Sequence, residues 1–441
     1  MSFELFKSSK INSSIIRISF LISLFYISIQ FIDSLFFFQV NLGDEWYFSR
    51  DLIYYLDYGY YNSVIHGISI PFTLLSSSIH YFLNEISLSL RLANSIIVFL
   101  LLIYLFFRKA LLRTNHKLIF TTHLFLLIGT TGGIFYGTND SFLFVTFFIL
   151  CSESYLYLKG HKLSKGFLVF IFTVCILSRP HFIIYFPILF ISFYAFLLIC
   201  NGFKNFTIIN PIIYSFFLSL PIVLLFNYPK ILENNFYHNQ GAYLPKYLFL
   251  SYSDKSDTYK TDDPDFNWIQ WCFYSQMVSE NKRFGLFAPF VEWDDVRRYK
   301  EKTNSKTLPK SYQEYILNYP ILVFKRIPLS IIEVSIYSVR YVGILLLAIP
   351  LWMIRKKSYK NITTFIPILI FVGIISWAII MPNSIAQQRL MPFYLMLLVL
   401  TTDKKRFIFT FFNKNIININ LIIIDLVMIY ALVKWEVFRS L

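Results

Sequence analysis

Repeated long apolar segments constrain this chain more than any other feature. Segment 15–38 carries one basic residue, Arg17, before Asp33 near its far end, and segment 118–136 carries no Asp, Glu, Lys or Arg. Each is long enough to cross the roughly 30 Å hydrocarbon core of a bilayer as a helix. Only 15% of the residues are charged, against about 25% in a typical soluble domain. The pattern predicts an all-α polytopic membrane protein.

Eleven segments fit this description and predict about eleven transmembrane helices. They cover residues 15–38, 90–107, 118–136, 141–158, 166–177, 182–200, 206–227, 329–354, 362–381, 390–402 and 416–433. The first is predicted to be a retained span, because no small-residue cleavage site follows it. The chain divides into an N-terminal transmembrane module (1–227), an extracytoplasmic loop subdomain (228–328) and C-terminal transmembrane helices (329–441).

The net charge of +15 is concentrated in alternate links between the apolar segments, which predicts topology and argues against nucleic-acid binding. Basic links lie on the cytoplasmic side of membrane proteins, so the N-terminus is predicted to be cytoplasmic. Anionic membrane lipids are the expected partners of the surplus charge. The basic links contain Arg108, Lys109, Arg113 and Lys117; Lys159, Lys162 and Lys165; Arg355, Lys356, Lys357 and Lys360; and Lys404, Lys405 and Arg406.

Two outer segments follow from this topology. The first, residues 40–89, contains the apolar stretch 68–83 with Pro71 near its start. Counting that stretch as a span would place the basic link 108–117 outside, so it is predicted to be a re-entrant or juxtamembrane helix. The second is the loop 228–328, whose acidic and aromatic residues predict a folded subdomain rather than a tether. Its acids Asp262, Asp263 and Asp265 lack a calcium-loop pattern and predict a solvated turn.

An acidic pair, Asp44 and Glu45, directly follows the first predicted span. The residues after it have helical spacing, and Gly59 is a suitable stop for that helix. Asp44 has two interpretations. It is either the N-cap of an interfacial helix or a general base at the membrane surface that takes a proton from an acceptor hydroxyl.

Three arginines on the predicted outer side are candidate phosphate ligands. Arg389 begins a predicted span where the charge rule disfavours a cation, and such a residue is a functional candidate. A guanidinium offers two parallel donors to a phosphate, whereas the structural alternative is a snorkelling anchor. Arg91 and Arg179 follow the same logic. Asp140, in Asn139-Asp140-Ser141, fits a helix N-cap first.

Taken together, these motifs resemble the C-fold membrane glycosyltransferases, most closely the branch of protein mannosyltransferases and lipid A aminoarabinose transferases. The resemblance covers most of the chain as architecture. Its specific motifs are the acidic pair, Tyr58-Gly59-Tyr60, His66-Gly67, Pro71, Leu88-Ser89-Leu90-Arg91-Leu92, Asn139-Asp140, Leu177-Ser178-Arg179-Pro180 and Gln388-Arg389-Leu390-Met391-Pro392.

The resemblance implies glycosyl transfer from a sugar on a polyprenyl phosphate, used at the outer face. Asp44 would be the catalytic base, and Glu45 would orient the acceptor or support Asp44. Arg389, Arg91 and Arg179 would contact the donor phosphate, and His66, Tyr47 and Asp140 are candidate contacts to acceptor or donor. The lipid-linked sugar is the co-substrate, with no metal or other cofactor, and the acceptor is a glycan, a lipid or a protein.

One departure from the family concerns the donor site. Relatives often carry consecutive prolines near positions 66–71, sometimes after a lysine that meets the donor, and that lysine is absent here. His66 is the candidate substitute. The implied location is a bacterial plasma (inner) membrane.

Two alternatives stay open. An O-antigen or polysaccharide polymerase also combines many spans with one large outer loop and outer arginines, but usually lacks the acidic pair. A lipid or oligosaccharide transporter belongs to a different class, and its usual signs are repeated halves and mid-span charges. The main mid-span acids are Glu153 and Glu333, and the sequence shows no half-repeat.

Overall fold

A computed structural model describes the chain in separate stretches, and the structural statements below concern those stretches only. They are residues 13–36, 45–108, 117–130, 134–158, 161–179, 206–233, 270, 273–274, 277, 293–303, 308–309, 312–343, 394–395, 398–399 and 414–439. Within these residues the backbone forms helices and connecting turns with no strand. The predicted all-α class is therefore confirmed for the described part of the chain.

Thirteen helices can be given bounds within the described stretches. They are α1 (Ser13–Phe36), α2 (Glu45–His66), α3 (Ile70–Leu83), α4 (Ile86–Phe107), α5 (Lys117–Thr130), α6 (Asp140–Leu158), α7 (Lys165–Ser178), α8 (Phe206–Phe226), α9 (Tyr228–Leu232), α10 (Trp293–Lys302), α11 (Tyr312–Asn318), α12 (Pro320–Val342) and α13 (Lys414–Arg439).

The chain forms two compact units. The first contains residues 1–234, 338–371 and 390–441, and the second contains 235–337 and 372–389. In the first unit α1 packs against α5 and α13, α4 packs against α3 and α6, and α7 packs against α3, α6 and α8. The contact between α1 and α5 is close because Gly129 faces the Tyr26 ring, which occupies the space that a Cβ would need.

The described part of the second unit has its own apolar cluster. Phe273, Val296, Leu308, Tyr315 and Val323 are all buried. The Phe273 and Tyr315 rings meet edge to face, with centroids 5.4 Å apart, a favourable geometry for aromatic pairs. The outer-loop acids from Asp254 to Glu292 lie outside the described residues, and so does the predicted solvated turn at Asp262–Asp265.

Two described helices are long and apolar enough to cross a membrane. They are Ser14–Phe36 and Ile86–Phe107, and shorter apolar helices occur at Leu118–Gly129, Lys165–Ser178, Pro211–Phe226 and Ile417–Val433. A count of two is a weak indication of membrane association. The predicted total of eleven spans therefore stays a prediction.

Most described helix bounds lie within a few residues of the predicted spans, with three exceptions. One is α13, which ends at Arg439, six residues after the predicted end at 433. The predicted span 118–136 corresponds to a helix that ends at Thr130. The predicted span 329–354 begins too late, because Pro320 occupies the first helical position and Pro328 is accommodated inside α12. That helix ends at Val342, before Gly343 at φ 61°. The predicted spans 182–200 and 362–381, and most of 390–402, lie outside the described residues.

The helix that follows the acidic pair reverses direction at Gly59, as the sequence predicts for a stop at that position. Gly59 has φ 75° and ψ −179°, a conformation essentially restricted to glycine. Tyr54 and His66 stack with ring centroids 4.5 Å apart. In a straight helix, twelve residues would separate them by about 18 Å. The segment Tyr60–His66 therefore folds back on the first part of α2.

The apolar stretch 68–83 forms a single short helix. α3 has fourteen residues, with Pro71 in its first turn and Asn84 in a left-handed conformation at its end. At 1.5 Å per residue it is about 21 Å long, which is short of a bilayer core. The helix and its proline start are as predicted, whereas its placement at a membrane surface stays a prediction.

Replacing Gly59 with alanine should destabilise the protein although a Cβ there would meet no atom within 4 Å. The cost is backbone strain of about 1–3 kcal/mol. Gly166, a helical position with equally open space, provides the control, and Gly166→Ala should be neutral or slightly stabilising. Thermal denaturation of the two variants in detergent tests this expectation. Equal midpoints for both would show that α2 does not depend on the Gly59 conformation.

Candidate functional site

Charged and amide side chains gather where α1 and α7 end and where α2, α4 and α6 begin. Glu45 is the first residue of α2, Asp140 is the first residue of α6, and Arg179 caps the end of α7. Arg91 lies in the second turn of α4. These residues are far apart in sequence, and the packing of the helices brings them together in two ion pairs.

Glu45 and Arg91 form a fully buried, two-pronged ion pair. The Arg91 Nε donates to Glu45 Oε1 at 2.7 Å and Nη2 donates to Oε2 at 2.7 Å. Neither side chain is exposed. Parallel hydrogen bonds of this kind are stronger and more directional than a single contact. Such geometry is needed to offset the loss of hydration by two charges.

The groups around the pair close it off from solvent. The Arg91 Nη1 donates to the Ser34 carbonyl oxygen at 3.1 Å, and the guanidinium carbon lies 5.5 Å from the centre of the Tyr136 ring. Gly137 faces the acid, since a Cβ there would lie 2.6 Å from Glu45 Cγ. The pair therefore connects the end of α1, the start of α2, α4 and the turn before α6.

That turn is held by Asn94 of α4. The Asn94 amide nitrogen donates to the carbonyl oxygens of Tyr136 and Thr138, the second at 2.7 Å, and the Ser141 hydroxyl donates to the Asn94 amide oxygen. The asparagine is fully buried, and these bonds satisfy both ends of its amide. The backbone approaching Asp140 is thereby fixed to the same helix that supplies Arg91.

Asp140 and Arg179 form the second ion pair, which is partly open to solvent. The Arg179 Nη2 donates to Asp140 Oδ1 at 2.6 Å, with side-chain exposures of 26% for the arginine and 5% for the aspartate. The Thr138 hydroxyl donates to Asp140 Oδ2 at 3.1 Å. The buried Arg179 Nε has no hydrogen-bond partner among the described residues. Arg179 therefore keeps donor capacity for an anion while its partner fixes its position.

The structure separates the predicted site residues into groups. Asp44 and Arg389, the predicted base and the first phosphate candidate, lie outside the described residues. Glu45 and Arg91 expose no surface. This geometry gives no support to a phosphate contact by Arg91 or an acceptor contact by Glu45, and it agrees better with the predicted alternative in which Glu45 supports Asp44. Asp140 pairs with Arg179, whose side chain is 26% exposed, and the phosphate contact of Arg179 stays a prediction.

The two aromatic candidates differ in exposure. Tyr47 is buried and stacks on Trp46 with centroids 3.7 Å apart. His66 is exposed and stacks on Tyr54, and burial of its ring together with nearby Arg50 lowers its pKa below the usual value. His66 can therefore be reached by a ligand, and its lowered pKa favours the neutral ring. Among the described residues, no three His, Cys, Asp or Glu side chains are grouped as metal ligands would be.

Asp51 is a functional candidate that the sequence reasoning did not single out. Its residue is only 7% exposed, and no described group donates a hydrogen bond to its carboxylate. Burial raises its pKa from 3.8 to about 6, opposed by the charge of Arg50. Helical spacing could have identified it, because Asp51 lies three residues after Phe48 and next to the buried Leu52.

Breaking the buried ion pair should destabilise the fold strongly. Arg91→Ala leaves the Glu45 charge without a partner, which costs about 3–5 kcal/mol. Replacing both Arg91 and Glu45 with leucine should cost less than Arg91→Ala, because no lone charge is left buried. Midpoints of thermal denaturation in detergent provide the measurement.

The control for this experiment is Arg298→Ala, which removes an exposed ion pair. Arg298 and Asp295 lie 2.8 Å apart with side-chain exposures of 68% and 42%, and such pairs contribute at most about 1 kcal/mol. If Arg91→Ala were no more destabilising than Arg298→Ala, the buried pair would not hold these helices together.

Asp51→Asn should stabilise the protein near neutral pH and lose that effect in acid. Between pH values of about 4 and 6 the Asp51 carboxyl is protonated in the folded protein and ionised in the unfolded chain, so its contribution to stability falls as the pH rises through this window. A shift of about two pKa units corresponds to roughly 3 kcal/mol above pH 6. Denaturation midpoints at pH 7.5 and pH 4 would measure it. Asp57 is an exposed acid on the same helix, so Asp57→Asn should not raise the midpoint comparably. An equal rise for Asp57→Asn would show that burial of Asp51 is not the cause.

No family model matches the chain, and neither a curated protein nor a solved structure does so. The likeness to the C-fold glycosyltransferases therefore stays a prediction from the motifs. The features that bear on function are the two ion pairs and their arrangement by α1, α2, α4, α6 and α7.

Proposed function

We propose that this chain is a membrane glycosyltransferase that moves a sugar from a polyprenyl phosphate to an acceptor hydroxyl at the outer face of the membrane. The observation that carries the proposal is the convergence of four separate motifs. Glu45 of the acidic pair meets Arg91, and Asp140 meets Arg179, at one end of the helices.

This convergence favours a functional site over independent surface anchors. Snorkelling arginines would each extend toward water, whereas Arg91 is fully buried and Arg179 is tied to an acid. Buried charges in a membrane protein are costly and mark functional sites by default. The buried charges of Glu45 and Arg91 lie at the start of α2. This position suggests that the protein uses the ion pair to fix where α2 begins.

The proposed reaction needs one base and one or more cations. Asp44 takes the proton from the acceptor hydroxyl as its oxygen bonds to the anomeric carbon of the sugar. The bond between that carbon and the phosphate oxygen breaks, and the polyprenyl phosphate leaves with the bonding electrons. Arg389 and Arg179 stabilise the charge that develops on the phosphate, as fixed cations do in other group-transfer sites.

Glu45 and Arg91 have a positioning role in this proposal. Glu45 follows Asp44 directly in the chain, and its carboxylate is fixed by two hydrogen bonds from Arg91. Holding a catalytic group in place removes much of the entropy cost of the reaction. A base attached to a fixed neighbour therefore meets the acceptor with little reorganisation.

The proposal includes a membrane topology. The chain would cross the membrane about eleven times, with a cytoplasmic N-terminus and an active site outside, in a bacterial plasma membrane. The two long apolar helices, Ser14–Phe36 and Ile86–Phe107, support a membrane location. The lipid tail of the donor would lie between helices, and the acceptor (glycan, lipid or protein) would enter from water.

Substitution of the proposed base and phosphate ligand tests the function. Asp44→Asn should bind a polyprenyl-phosphate sugar as well as wild type but transfer it about 10²- to 10⁴-fold more slowly. Arg389→Ala should bind the donor more weakly. Donor binding and transfer to extracted lipids and glycans are measured on purified protein, with Asp57→Asn and Arg298→Ala as exposed controls of matching chemistry. Full transfer by Asp44→Asn would remove the base assignment.

The same assay separates the two alternatives. Activity that depends on Arg389 but not on Asp44 or Glu45 would favour a polymerase. Movement of a lipid-linked sugar without any new glycosidic bond would favour a transporter. Glu153, one of the mid-span acids a transporter could use, accepts hydrogen bonds from Arg108 at 2.6 and 2.7 Å and from Tyr104 at 2.7 Å, which supports a structural role for it. The Glu333 side chain lies outside the described part of the structure.

A further inference from the structure

Lys230 is a buried cation that none of the sequence motifs includes. It lies in the short helix α9, which packs against α2. The residue is only 4% exposed, whereas lysine is almost never fully buried unless it is paired. Its position beside the first outer segment places it in the part of the protein that carries the acidic pair.

The Lys230 ammonium has no counter-ion among the described residues. Its one hydrogen bond there is a long one, from Nζ to Asn227 Oδ1 at 3.3 Å. The acid closest in sequence, Glu233, instead accepts a hydrogen bond from the Tyr61 hydroxyl at 2.8 Å. An ammonium can donate three hydrogen bonds, so two remain available to a ligand. Burial of an unpaired charge is costly and lowers the pKa of Lys230 to about 8.

Tyrosine rings and a hinged segment surround this lysine's helix. Tyr228 packs against Tyr60 and Tyr61, with ring centroids 6.5 and 6.0 Å apart. The Tyr60 hydroxyl donates to the Phe226 carbonyl oxygen at 2.6 Å. Tyr60 and Tyr61 belong to the segment Tyr60–His66, which is bounded by Gly59 at φ 75° and Gly67 at φ 105°.

These contacts provide a route to the lysine. The hydrogen bonds from Tyr60 and Tyr61 are exposed, so breaking them exchanges protein partners for water at small net cost. Glycine at both ends of the segment allows the large dihedral changes that a hinge absorbs. Movement of Tyr60–His66 would break the ring contacts of Tyr60 and Tyr61 with Tyr228 and so loosen the packing around α9.

We infer that Lys230 is an anion subsite which binds the phosphate of the lipid-linked substrate, in the short helix against which Tyr60 and Tyr61 pack. This inference rests on the proposed function for the identity of the lipid, but the requirement for an anion comes from the lysine alone. A phosphate oxygen would supply the negative charge and the hydrogen-bond acceptors that the described protein groups do not.

Binding of farnesyl phosphate to the purified full-length protein tests the inference, with farnesol as the uncharged probe. Lys230→Met keeps a long unbranched side chain and removes the charge. It should therefore raise the dissociation constant for farnesyl phosphate at least about tenfold and leave the dissociation constant for farnesol unchanged. Lys230→Arg should retain binding. Lys162→Met, at an exposed lysine, should behave as wild type.

The melting temperature of Lys230→Met distinguishes a ligand-binding lysine from one that stabilises the fold. Because the ammonium is buried without a counter-ion, Lys230→Met should melt at the same temperature as wild type or higher, as expected where function is kept at the cost of stability. A lower melting temperature for Lys230→Met would show a structural role and overturn the inference. Equal farnesyl phosphate affinities for wild type and Lys230→Met would also overturn it, while leaving the proposed transferase function intact.

The source of the phosphate is tested separately. Phosphatidylglycerol in nanodiscs offers the same chemistry as a lipid headgroup. If wild type does not bind farnesyl phosphate but binds phosphatidylglycerol in a Lys230-dependent way, the assignment to a polyprenyl substrate is wrong. The proposed function would then lack support for its polyprenyl-phosphate donor. Preference for farnesyl phosphate over a tenfold excess of phosphatidylglycerol supports the assignment.

Discussion

The buried ion pair between Glu45 and Arg91 is the interaction on which the candidate site depends. A carboxylate and a guanidinium with no exposed surface have given up their hydration, and they remain charged only because each satisfies the other. The pair draws the start of α2 onto α4 and contacts both the Ser34 carbonyl and the turn at Gly137. Geometry at this end of the helices is therefore set by electrostatics.

The two ion pairs differ in exposure and therefore in the role that each can have in the site. The first is closed and rigid, and it determines where the chain enters α2. The second, between Asp140 and Arg179, leaves about a quarter of the arginine side chain open and can meet a ligand. Asn94 connects them, because it lies one turn after Arg91 on α4 and holds the backbone that leads to Asp140.

Sequence patterns predicted the helices well but assigned the charges less well. Hydrophobic periodicity and Pro71 indicated α1, α3 and α4, and Gly59 indicated a break in α2, because these signals are local. The pairing of Glu45 with Arg91 joins residues 46 positions apart and depends on tertiary packing, so spacing could not show that the two residues bury each other. Lys230 was missed for the same reason, whereas Asp51 had a local signal in its helical spacing from Phe48 and its position beside Leu52. The predicted start of the span near residue 329 was too late, because α12 begins at Pro320 and accommodates Pro328 in its interior.

The closeness of Gly137 to Glu45 has a consequence for the inheritance of this site. Positions 45, 91 and 137 are packed closely together, and a Cβ at position 137 would lie 2.6 Å from Glu45 Cγ. A descendant of this chain could not lose the acid or the arginine alone without stranding a charge, nor gain a larger residue at 137 without shortening the acid. Divergence at these positions would therefore be concerted, so the three residues would pass between descendants as one unit.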